Sequence, residues 1–122
     1  MPRIGRLVDS ANNEILLNQV RWCDSFVCKL CGLMFRRALA PGEGLLMVEA
    51  HANRVDTTIH MLFMTFPIAA IWLDDDMIVV DKVYAKPWRP FYMPQKAARY
   101  TLEASPTLLD RVQIGNKLHF EI

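Results

Sequence analysis

The sequence predicts a mainly β domain, sandwich or barrel-like, of six to eight strands with one short helix near residues 24–33 and a helical turn near 106–112. Three observations predict it. Apolar and polar residues alternate in short segments such as Arg-Tyr-Thr-Leu-Glu-Ala at 99–104, the period of a strand. Turn formers recur at close spacing, as in Ala40-Pro41-Gly42-Glu43-Gly44, Asp74-Asp75-Asp76 and Gly115-Asn116. Finally, residues 61–73 carry no charge, and their only hydroxyl is Thr65. As a helix that run would span roughly 20 Å, short of a membrane core of ~30 Å, and Pro67 interrupts it. It reads as two buried strand segments over 59–73 broken near Pro67, where a strand must be an edge or carry a bulge.

The elements follow in order. Residues 4–8 and 15–20 flank Asp9-Ser10-Ala11-Asn12-Asn13 and predict a hairpin. Asp24 or Ser25 can cap a helix in which Phe26, Val27, Leu30, Leu33 and Met34 form an apolar face, ending by Gly32 or Met34 with Arg36-Arg37 beyond. A short buried strand is expected at 45–48, and a polar connection without period over 49–57. The acidic triplet turns into a strand from Met77 to Tyr84. Pro87, Pro90 and Pro94 mark an irregular excursion over 86–95, rich in Trp88, Phe91 and Tyr92. The strand at 99–104 follows, then a helical turn opened by Ser105-Pro106 and a last strand at 117–122.

Composition narrows the function classes. A chain of 122 residues fits one domain, 1–122, and can bury a core. Its 52% apolar content is high and points to a strand-rich core or a partner surface. Net charge is +1, without the basic excess of a nucleic-acid binder. Residues 1–13 lack the apolar stretch of a signal peptide, and no stretch is long enough to span a membrane, so a cytoplasmic protein is expected. Three cysteines, an odd number, fit a reducing compartment better than a disulfide framework.

Several motifs carry a likeness. Gly32-Leu33-Met34-Phe35-Arg36, Gly44-Leu45-Leu46-Met47-Val48, and the run from Ile59-His60-Met61 through Phe66-Pro67-Ile68 to Leu73-Asp74 stand in that order. Pro87-Trp88-Arg89, the 98–103 strand and Ile114-Gly115-Asn116-Lys117-Leu118 extend the pattern. Over residues 20–122 the chain resembles the bacterial and archaeal family called domain of unknown function 192. The resemblance implies a small β-sandwich or barrel-like domain and no established activity. Many members place Trp-Met-Lys-Asn-Thr where this chain has His60-Met61-Leu62-Phe63-Met64, and Asp where Ala69 stands.

Catalytic signatures are missing: there is no nucleophile elbow, phosphate-binding glycine loop or metalloprotease motif, so an enzyme ranks third among the expectations. Cys23, Cys28 and Cys31 lack a fourth partner. On a continuous helix Cys23 and Cys28 would point apart, so neither a metal site nor a Cys28–Cys31 disulfide is expected. The acidic triplet lacks calcium-loop spacing and reads as a solvated turn. No metal or cofactor is therefore expected.

The candidate site is ligand-binding: Arg36, His60 and Arg89 around a shallow cleft, with Trp88 on its wall. Two guanidiniums and an imidazole favour a small anion. The rival account pairs each arginine with loop carbonyls, Glu43 or Glu103 as scaffold. The expected function is a non-enzymatic binding module. The alternative is a protein-interaction or homo-oligomerising domain that uses an apolar surface.

Overall fold

Asn12 and Asn13 make the first hairpin. In the computed structural model, which describes residues 3–122, β1 (Ile4–Asp9) and β2 (Glu14–Cys23) pair antiparallel around them. Asn13 takes a φ of 58°, which a short polar side chain tolerates, and the side-chain oxygens of Asp9 and Asn12 accept from the Ala11 and Glu14 backbone.

α1 (Phe26–Cys31) starts where Ser25 Oγ accepts from the Cys28 N–H at 3.1 Å and stops at Gly32, whose φ is +46°. The segment between β2 and β3 (Glu43–Asn53) is a crossover, because these two strands pair parallel. β4 (Ile68–Leu73), β5 (Val79–Ala85) and β6 (Ala98–Ala104) complete the centre. A 3-10 turn (Pro106–Asp110) leads on to β7 (Leu118–Glu121).

All seven strands form one sheet in the order β5-β4-β6-β3-β2-β1-β7. It is open and curled into a half-barrel. The two edges meet at one end only, where Val79 N–H donates to Asn116 O at 2.9 Å and Leu118 N–H to Met77 O at 3.0 Å.

Both sheet faces are covered. One carries Leu7, Val20, Leu46, Ile71 and Leu102 under Leu108 of the 3-10 turn and Val112 just after it. The other carries Leu45, Met47, Ala70 and Trp72 under Leu33, Met61 and Met64. Successive β4 residues alternate between these two cores, so every one of them is buried. Truncating Ile71 or Leu102 to alanine costs roughly 3 kcal/mol, the usual range for a filled core. Trp72 Nε1 also donates to Thr57 O at 2.7 Å, which ties the 54–61 loop down onto the sheet.

The mainly β class, the helix and the helical turn agree with the sequence; four local expectations do not. The 59–73 run holds one strand, β4, which begins after Pro67. Residues 59–66 form a covering loop whose only bridge is Ile59 to Tyr92, because Phe63 adopts a φ of 62° that no strand continues. The expected short strand at 45–48 runs from Glu43 to Asn53, through most of the supposed connection: β2 pairs with it over 43–47, and β6 over 44–48 and again at Asn53, beyond an irregularity in the register. The helix's apolar face does not enter the core: α1 buries no residue, and Phe26, Val27 and Leu30 are exposed, while Leu33 beyond its end is buried. Nor are all three cysteines thiols. Cys23 is disulfide-bonded to Cys28 with Cα atoms 5.8 Å apart, and Cys31 is free. Cys23 ends β2 rather than continuing the helix, so the helical angle between it and Cys28 does not apply.

Candidate functional site

Backbone hydrogen bonds bring together the three segments that carry the expected site residues. Met61 N–H donates to Arg89 O at 2.9 Å and Trp88 N–H to Met61 O at 2.8 Å, so the loop after His60 runs beside Trp88 and Arg89. Phe35 N–H donates to Phe63 O at 3.2 Å, and Thr65 Oγ1 to Arg36 O at 3.4 Å, which sets 35–36 on the other side of that loop.

At this junction three aromatic rings touch. Phe63 lies 5.1 Å from Phe35 and 5.3 Å from Trp88, centroid to centroid, within the favourable range for aromatic pairs. All three rings are substantially exposed, Phe35 at 75% and Trp88 at 55%. All three residues also hold left-handed backbone, at φ 64°, 62° and 67° for Phe35, Phe63 and Trp88. For a bulky L residue that conformation costs about 1–2 kcal/mol.

The four expected residues are placed differently from one another. Arg36 turns its guanidinium to Glu43, with Nη2 2.8 Å from Oε1 and 3.3 Å from Ala38 O. The hydrogen bond from Arg36 holds the Glu43 carboxyl below its usual range, and Glu43 in turn accepts from the Ala40 N–H at 2.9 Å. The pair therefore braces the 36–43 loop. His60 is half-buried. A backbone N–H can only donate, so its Nδ1 accepts from Leu62 and its proton sits on Nε2, 3.4 Å from Leu30 O. Trp88 joins the aromatic trio. Arg89 is exposed, and among the described residues nothing accepts from its guanidinium.

Under α1 lies a second feature. A cavity of about 70 Å³ opens between Lys29–Met34 and residues 56–64, floored by Met47, Glu49, Thr101 and Glu103 of the sheet. Glu103 is buried at 6% exposure, and burial raises its carboxyl to about 7. No donor among the described residues reaches it. Lys29 and Glu49 form an ion pair of 3.0 Å on the cavity wall.

Sequence reasoning missed Phe35 and Phe63, whose apolar neighbours made them look like core. It named Glu103 only as a possible partner of arginine. The signal for Glu103 was its place in the alternation: it shares a face with Thr101, and in a sheet covered on both sides that face is interior.

Comparison with known proteins gives a consistent result. The family model for DUF192, described as Uncharacterized ACR, matches residues 7–120. A UPF0127 protein of Pyrococcus furiosus is 35% identical over 104 residues, covering 84% of this chain and 86% of its own. One from Pyrococcus abyssi is 31% identical over 119 residues, covering 96% and 98%. Among solved structures, a Sinorhizobium meliloti protein described as a candidate transcription regulator superposes with a TM-score of 0.83 at 21% identity, over 98% of this chain and 94% of that one. A Novosphingobium aromaticivorans protein of unknown function gives 0.81 at 18% identity, over 97% and 84%. At these identities the two structures speak for the fold alone.

Proposed function

Because the chain belongs to the DUF192 family of uncharacterized proteins, and no family activity stands behind it, we propose from its own residues that it is a non-enzymatic binding module of one domain, 1–122. Its shallow site is the Phe35–Phe63–Trp88 platform with Arg89, Arg36 and His60 beside it, and its ligand is a small anion that carries an apolar or aromatic body.

The observation that supports this reading most is the conformation of the platform. Exposed aromatic rings give up the burial that normally rewards them, and three left-handed backbones add strain. Two costs at one surface spot, at three neighbouring residues, are what a preformed contact surface requires. Arg89 supplies an unengaged planar donor at its edge, while Arg36 is already committed to Glu43 and stiffens the rim. Calorimetry with phenyl phosphate and with neutral benzyl alcohol tests this. Phenyl phosphate should bind, Trp88→Ala should abolish binding, and Arg89→Ala should weaken it at least fivefold. Equal binding of the two probes, or binding that survives Trp88→Ala, would end the reading.

A second reading rests on α1. Its outward residues Phe26, Val27 and Leu30 are exposed at 52–78%, and Lys29 turns inward to Glu49. The outer face therefore has no charge to repel an identical face, and a second copy of the chain is the occupant it suits. Light scattering over a dilution series decides this: a monomer at every concentration rules the second copy out.

A further inference from the structure

We propose that the cavity under α1 is a separate binding site, distinct from the aromatic platform, and that it takes a primary ammonium group on a short alkyl stem. The floor calls for a cation with several donors. Glu103 is more than nine-tenths buried on β6, points a carboxyl into the cavity and has no hydrogen-bond partner among the described residues. Thr101, two residues earlier on the same face and 2% exposed, has none for its hydroxyl either. Both side chains line the cavity with no protein donor on their oxygens, and an ammonium with three N–H donors can satisfy both at once.

The walls select the stem. Leu33, Met34, Met47, Ile59, Met61 and Met64 give the stem an apolar side within a lining that is otherwise polar, and about 70 Å³ admits only a few heavy atoms. Unbranched thioethers adapt to such a guest. Gly32 lies over the carboxyl, and a Cβ there would stand 3.7 Å from Glu103 Oε1.

Charge selects the sign. Facing Glu103 are Lys29 and the Cys31 thiol of α1, Glu49 of β3, and Asp56 and His60 of the 54–61 loop. Lys29 is held by Glu49, so Asp56 and Glu103 leave the cavity acidic and hostile to anions. Among the described residues no three His, Cys, Asp or Glu side chains converge to hold a metal ion, which leaves an organic cation as the better fit.

The test uses n-propylammonium chloride against n-propanol, read as a ligand-induced rise in Tm at pH 8 and pH 6. Propylammonium should stabilise the protein and propanol should not. With the Glu103 carboxyl titrating near 7, apparent affinity should fall about tenfold from pH 8 to pH 6. Glu103→Gln should lose the response and, with it, the pH dependence. Trp88→Ala should leave it untouched, so failure here is separable from failure at the platform. An equal response to the alcohol, a response independent of pH, or one that survives Glu103→Gln would overturn the proposal. Should Glu103→Gln not fold, the alcohol control and the pH pair on the unmodified protein decide by themselves.

Discussion

Phe63 stands 5.3 Å from Trp88, ring centre to ring centre, and both residues hold left-handed backbone on separate loops. Neither loop would adopt that shape for its own sake. The strain can be measured by substitution. Phe63→Gly relieves the φ of 62°, whereas Phe63→Ala loses the same ring and keeps the strain. The glycine variant should be more stable than the alanine variant by about 1 kcal/mol in urea unfolding, since glycine occupies that region freely and alanine does not. Equal stabilities would mean that the backbone there is not strained.

Arg36 and Glu43 should behave as scaffold. Arg36→Ala removes a bidentate pair and leaves the 36–43 loop to Glu43 at Ala40 and to its backbone bonds, so a loss of about 1 kcal/mol is expected. Glu43 has a lowered carboxyl in the folded state, so its contribution is present above the unfolded carboxylate range and lost as pH falls through its folded pKa. Urea midpoints at pH 7 and pH 3 check the sign: the acid-side drop should shrink in Arg36→Ala.

Glu103 should act in the opposite sense. Its carboxyl is raised from 4.5 to about 7, so the folded state holds a proton that the unfolded state releases. Its contribution to stability is then greatest below about 4.5, falls between there and 7, and levels off above. The total penalty is about 3 kcal/mol at 1.36 kcal/mol per pH unit. Glu103→Gln should flatten that stretch of the stability profile. If the slope persists in the variant, the titrating group is another one.

Much of this arrangement was legible in the sequence. Strand alternation, turn chemistry at Asn12-Asn13 and Asp74-Asp75-Asp76, and the cap at Ser25 all act locally, and each appears in the structure close to where the residues put it. What was not legible depends on partners distant in the chain. β3 runs past its own apolar stretch to Asn53, which pairs with Ala98 of β6 some 45 residues on. The 59–66 stretch looks like core because it is core on one side, Met61 and Met64, while Leu62 and Phe63 between them face out. Arg36 could be drawn toward a cleft or toward Glu43 by the same charge, and only loop geometry decides for Glu43.

The cysteines give a chemical check on that same long-range geometry. Maleimide labelling of the unfolded, unreduced protein should add one label, at Cys31, and three after reduction. Cys23→Ser with Cys28→Ser should cost about 2 kcal/mol, the loop-closure value for a short bridge. Three labels without reduction would show that the bridge does not form.

The platform is the central claim, and chemical-shift mapping tests it most directly. Titration of isotope-labelled protein with phenyl phosphate should move the amide signals of Phe35, Arg36, Leu62, Phe63, Trp88 and Arg89 together, with one affinity, and these shifts should vanish in Trp88→Ala while the remaining spectrum stays intact. Shifts centred elsewhere, or none at millimolar ligand, would contradict it.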